Sequence, residues 1–215
     1  MSKITQATPC WAYDPVTGEL LGERIASPDP IEGKPLVPAH ATLIAPPKTI
    51  PEGSVAVFDE TKNKWSVMED HRGQVVWVNN QEVTIDKLGP LPKGASKTKP
   101  LSVVKQEKLS QLRIDYETAL NAGVTYQGAT FQSDPSSIQS LNEVLTALAN
   151  GWVLPANFEW IDANNTPHPV PDVTWLQGLA TVLADHKSAL FARLQKAKAA
   201  VRAAKTVSAV NKVVL

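Results

Sequence analysis

The chain has 215 residues and 43% apolar content, enough for two small domains that each bury a modest core. Its 21 Lys and Arg balance its 21 Asp and Glu. A formal net charge of zero argues against a general nucleic-acid binder, which needs a cationic excess to neutralise phosphates. The single cysteine, Cys10, excludes an intrachain disulfide and a cysteine-built metal site.

No run approaches the ~20 apolar residues of a membrane helix. The opening Met1-Ser2-Lys3-Ile4-Thr5-Gln6 lacks the apolar core of a secretory signal. A soluble chain made in the cytoplasm, with no membrane insertion, is expected. In chain order, Trp11-Ala12-Tyr13 and Leu20-Leu21 flank Asp14-Pro15-Val16-Thr17-Gly18, whose proline and glycine suit a hairpin turn. From Ser27 to Pro51 prolines recur too often for a regular element, and residues 35–42 read as extended, polyproline-like chain. Alternation then predicts a hairpin in which Val55 and Val57 share a face with Trp65 and Val67. A further hairpin turns at Asn79-Asn80, residues that tolerate positive φ. Trp11, Trp65 and Trp77 fall in predicted strands and Trp160 in a hairpin. Most of the six tryptophans are expected in cores, because small β domains rely on large side chains for burial, and one or two exposed aromatics would suit a protein or glycan interface.

Gly89-Pro90-Leu91-Pro92-Lys93-Gly94 through Pro100 interrupts both strand and helix, and the pattern changes after it. Leu109, Leu112, Tyr116 and Leu120 recur at helical spacing, and Gly123 is placed to cap that helix. A short hairpin about Gln127-Gly128 follows. Asp134-Pro135 then predicts a helix start, with Ile138, Leu141, Leu145 and Leu148 as its buried stripe. A second hairpin spans residues 157–170. Asp172 caps a long last helix with the stripe Leu176, Leu179, Leu183, Leu190, Leu194, Ala197, Val201 and His186 in the seam. The fold class is therefore α+β: a small irregular antiparallel β domain (1–88), a linker (89–104), a mostly helical domain with two short hairpins and a long C-terminal helix (105–205), and an apolar tail (206–215).

Chemistry is sparse. Asp70-His71-Arg72-Gly73 is the tightest titratable cluster, but neighbours on a strand face opposite ways, so Asp70 is poorly placed to orient His71. A turn ending in Gly73 is the expected role. His40, His71, His168 and His186 show no metal-ligand spacing. No nucleophile elbow, phosphate loop or His-Glu-x-x-His occurs, and no carboxylate pair stands out for glycan hydrolysis. No catalytic residue, cofactor or metal is expected. The long helix should outrun its core, so Val207, Val210, Val213, Val214 and Leu215 are read as a segment that docks on a partner or a neighbouring copy. The alternative is that the tail folds back on its own domain.

Tyr13-Asp14-Pro15-Val16-Thr17-Gly18-Glu19-Leu20, Leu36-Val37-Pro38-Ala39-His40-Ala41-Thr42, Ala45-Pro46-Pro47 and Trp65 before Glu69-Asp70-His71-Arg72-Gly73 resemble tailed-phage tail-fibre assembly proteins. Gly123-Val124-Thr125-Tyr126-Gln127-Gly128, Phe131-Gln132-Ser133-Asp134, Phe158-Glu159-Trp160 and Asp172-Val173 are similar to a domain of unknown function found at the C-termini of phage tail proteins. The resemblance implies a non-enzymatic assembly chaperone or fibre-tip accessory protein that binds a trimeric fibre. It would sit in the host cytoplasm during assembly, or on the virion tail. The alternative is an integral subunit of the tail, baseplate or receptor-binding apparatus.

Overall fold

The structure, a computed structural model, describes residues 7–215. The reading of residues 1–6 lies outside the described residues. The chain divides into two compact units, Met1–Lys99 and Pro100–Leu215. Antiparallel sheets fill the first and helices dominate the second, an α+β arrangement.

In the first unit, β1 (Thr8–Tyr13) and β2 (Leu20–Pro28) form the leading hairpin. The Asp14 carboxylate accepts from the Val16 and Thr17 N–H groups, closing the turn. Gly18 has φ +75°, and a Cβ there would stand 2.5 Å from the Phe58 carbonyl oxygen. Only glycine allows the hairpin to approach the next strand this closely. The proline-rich stretch is more ordered than expected. Pro35–Leu36 (β3) and Ala41–Thr42 (β4) join the sheet in the order β3-β2-β1-β4. Two-residue edge strands are where a sheet tolerates proline.

Strands β5 (Ser54–Asp59) and β6 (Lys64–Glu69) pair with Phe58 opposite Trp65 and Val57 opposite Ser66. Side-chain period is two, so this register differs by one residue from the expected one. Ala56 and Phe58 are buried, and Val55 and Val57 take the other face. Strands β7 (Val75–Val78) and β8 (Gln81–Thr84) meet as expected at Asn79 and Asn80, with φ of 52° and 64°. The core holds Cys10, Ala12, Tyr13, Ala26, Ala56, Phe58, Val76 and Ile85. Tryptophans contribute less than expected: of the six, Trp175 alone is buried. The start of the expected linker is hydrogen-bonded to this unit. Gly89 donates to the Glu69 carbonyl, and Trp77 and Ser96 exchange two backbone bonds.

In the second unit, helix α1 (Leu101–Leu120) begins directly after Pro100, four residues ahead of the expected boundary. Hairpin β9 (Val124–Tyr126) and β10 (Ala129–Phe131) turns on Gln127 and Gly128, both at positive φ. Helix α2 (Pro135–Ala149), hairpin β11 (Glu159–Ile161) and β12 (Pro167–Pro169), helix α3 (Val173–Ala203) and helix α4 (Val207–Asn211) follow. Every apolar member of the predicted α3 stripe is buried, and His186 reaches the Ala119 carbonyl at 3.1 Å. Two cores lie along α3. One joins Val124, Phe131, Leu141, Trp175, Leu176, Leu179 and Leu183. The other joins Leu112, Leu194, Ala197, Val201 and Val210. The second core answers the problem of a helix longer than its domain, because α1 and α4 cover the far half of α3.

Candidate functional site

The predicted tail interface separates into two groups. Val210 is fully buried in the second core, and Val213 and Leu215 pack against it. Thr206 caps α4 by accepting from the Ala209 N–H, and Arg193 Nη2 donates to the Leu215 carbonyl at 2.7 Å. The tail therefore returns to its own domain. Its apolar side chains are drawn into the far end of the α1–α3 pair, where they leave water at no cost in partner binding. Val214 remains 77% exposed and Val207 38%. These two side chains face solvent.

The Asp70–Gly73 cluster is a turn. Asp70 accepts from the Arg72 backbone N–H, Nε and Nη2, which holds its carboxyl down at about 2. Arg72 Nη1 also reaches Glu19 Oε1 at 2.7 Å, tying this turn to the leading hairpin. Glu69, not Asp70, contacts His71, with Oε2 2.9 Å from Nε2, and the other ring nitrogen faces Gln74. Both nitrogens are taken by neighbours in a structural network. Among the described residues no group of three His, Cys, Asp or Glu side chains could hold a metal ion.

The most developed surface surrounds α2. Asp134 accepts from the Ser136 and Ser137 N–H groups and from both hydroxyls, which drives its pKa well below the carboxylate range. At the other end, Gly151 has φ +90°, Trp152 N–H bonds to the Ala147 carbonyl and Gly151 N–H to that of Leu148. This paired closure is a Schellman cap, and it turns the chain so that Trp152 stands beside Phe158. Trp152, Phe158 and Trp160 form a shelf with successive ring centroids 6.1 and 6.3 Å apart. Trp152 is 42% exposed, and Val153 and Ile161 are exposed beside it. Grooves of about 460 and 330 Å³ meet at Ser140 and Trp160. A wider trough of about 750 Å³, lined by Leu120, Ser133, Ile138, Asn142, Thr146 and Lys187, also runs along α2. Clustered exposed apolar groups of this kind mark interaction surfaces.

Two residues have buried supporting roles that the sequence pattern alone does not reveal. Ser133 is buried, donates to the Leu120 carbonyl and accepts from the Gly123 N–H, so it closes α1 where the glycine alone was expected to. Asp162, also buried, accepts from the Asn164 and Thr166 N–H groups and pairs with His168 Nε2 at 3.0 Å. The Thr166 bond, then His168, lowers its pKa. The sequence places a polar turn at Asp162-Ala163-Asn164-Asn165, and the structure adds the burial of its aspartate and the pairing with His168.

The molecule is thus an α+β chain of two units, the second of which exposes Trp152, Val153 and Ile161. Residues 103–214 match the family described as a domain of unknown function, DUF4376. The chain belongs to that family. It is also 41% identical over 86 residues to the prophage tail fiber assembly protein homolog TfaR of Escherichia coli K12, covering 39% of this chain and 43% of that protein. Over 78 residues it is 44% identical to the tail fiber assembly protein of Escherichia phage lambda, covering 35% and 38%. Over 63 residues it is 43% identical to the tail fiber assembly protein of Enterobacteria phage T4, covering 28% and 32%. The chain spans less than half the length of each of these curated relatives. No solved structure matches it.

Proposed function

We propose that this chain assists the assembly of a phage tail fibre, as a non-enzymatic chaperone or fibre-tip accessory that binds the trimeric fibre in the host cell. The observation that carries the reading is identity of 41 to 44% to several proteins named for tail-fibre assembly. The aromatic shelf beside α2 supports it, since exposed apolar groups fixed on capped elements can hold an incompletely folded client without reorganising. The two units act as separable modules, and the shelf and exposed Val214 belong to the helical one.

Co-expression of the phage's own tail fibre with and without this chain tests the reading. The expected result is a protease-resistant fibre trimer that forms in good yield only when the chain is present. Equal trimer yield in its absence overturns it. Copy number in purified virions then separates a released chaperone from a retained tip protein.

A further inference from the structure

From Lys187 to Leu215 the chain carries Lys187, Arg193, Lys196, Lys198, Arg202, Lys205 and Lys212, and no Asp or Glu. The balancing acidic residues all lie earlier in the chain. None of these seven side chains forms an ion pair among the described residues. Arg193 donates to the Leu215 carbonyl, and Arg202 contributes its own carbonyl to Lys105 Nζ. Lys34, Lys62, Arg72 and Arg113, by contrast, do pair with carboxylates, Lys62 with Asp59 at 2.6 Å. Lys196 and Lys212 are therefore left without an ion-pair partner among the described residues.

Between α3 and the returning tail runs a groove of about 450 Å³. Ala197, Ala200, Val213 and Val214 give it apolar walls, and Arg193, Lys196 and Lys212 give it charge. Ala197 is buried, while Val214 is 77% exposed, so one side of the groove is an apolar lip in water. The tail that forms this wall is held by the buried Val210 and the Arg193–Leu215 bond, so the groove is a fixed feature.

We propose that this groove docks an acidic segment of a partner protein, seating an apolar side chain against Ala197, Val213 and Val214 while flanking carboxylates meet Lys196 and Lys212. Charge complementarity selects the partner, because carboxylates supply what the domain withholds from its own lysines. The apolar walls select a protein segment over a nucleic acid. No aromatic ring lines the groove for base stacking. The assembly reading enters only in naming the client fibre as the source of that segment.

The test uses the full chain and a fluorescent 12-residue peptide of Glu and Asp with a central Leu. Companion probes are the same peptide with the Leu replaced by Glu, its all-Lys counterpart, and a 12-nucleotide single strand. Saturable binding of the Leu-containing acidic peptide is expected, weakening steeply from about 0.05 M to about 0.5 M salt as the charges are screened. Lys196→Glu with Lys212→Glu should lower affinity at least about tenfold at unchanged circular dichroism, and Val214→Asp should lower it too. Lys34→Glu, in the other unit, should leave it unchanged. The idea is overturned by no binding, by equal binding of the double variant, by equal binding of the peptide lacking Leu, or by the oligonucleotide binding as tightly. Peptide binding with no effect of the chain on fibre trimers would instead refute the assembly reading and leave the groove standing.

Discussion

Tyr126 lays its ring against the backbone of Gly178, midway along the first core of α3, so closely that the helix has no room for a Cβ there. The same ring stacks edge-on to Trp175 at 5.2 Å, and Trp175 Nε1 donates to Gln127. A glycine that weakens a helix in isolation is thus the condition for docking the β9–β10 hairpin.

Gly178→Ala should therefore destabilise the protein despite the better helix propensity of alanine. Overpacking of this kind costs about 1 to 3 kcal/mol, against a gain of about 1 kcal/mol from propensity. Tyr126→Phe removes the phenolic oxygen nearest that Cβ, so the double variant should recover part of the loss. Urea midpoints of the four proteins of the cycle measure it, and a stabilised Gly178→Ala would contradict the close packing.

Val210→Ala should cost about 1.5 to 3 kcal/mol, since the side chain is fully buried in the second core. Val214→Ala should fall within about 0.5 kcal/mol of the parent, as exposed positions usually do. Equal small effects in denaturant titrations would mean that the tail is not part of the domain.

Asp134→Asn should lose part of the α2 cap, and Asp134→Ala about 1 kcal/mol. The pH dependence follows from its depressed pKa. Folding favours the ionised carboxylate, so the contribution is fully present above the unfolded value near 4 and fades as pH falls below it toward the folded value. The melting temperature of the parent should drop more than that of Asp134→Asn as pH is lowered from about 5 to about 2. Parallel curves would remove Asp134 from the acid response.

Residues 100–215 should fold when expressed alone, because both helical cores draw on this span alone. Dispersed amide resonances and a cooperative melt are the expected signs. A molten product would show that the first unit is needed.

Much of the helical unit was legible because its signals are local. Asp134-Pro135, Asn150-Gly151 and Asp172 mark helix ends by side-chain chemistry, and the α3 stripe repeats long enough to leave one face to bury. The β unit was less so. Its register at Phe58 and Trp65 depends on a four-residue turn, where one residue of uncertainty exchanges the faces. β3 and β4 are too short to carry a period. The tail misled for another reason: three of its five apolar side chains, Val210, Val213 and Leu215, found a neighbour in space, when α1 supplied Leu112 from about a hundred residues earlier. The α2 shelf depends on Trp152 being turned outward by Gly151, and composition favours burial for any tryptophan.

That long reach between Leu112 and Val210 sets an order of events during synthesis. Translation delivers the chain from its N-terminus at about 5 to 20 residues per second, and segments fold as they emerge. The core built from residues 124 to 183 has all its parts well before α4 leaves the ribosome. One flank of α1 must wait, its leucines wet, until the last helix arrives to cover them. Because α4 closes the second core, synthesis halted before Val210 leaves a half-closed product whose exposed leucines invite aggregation or degradation.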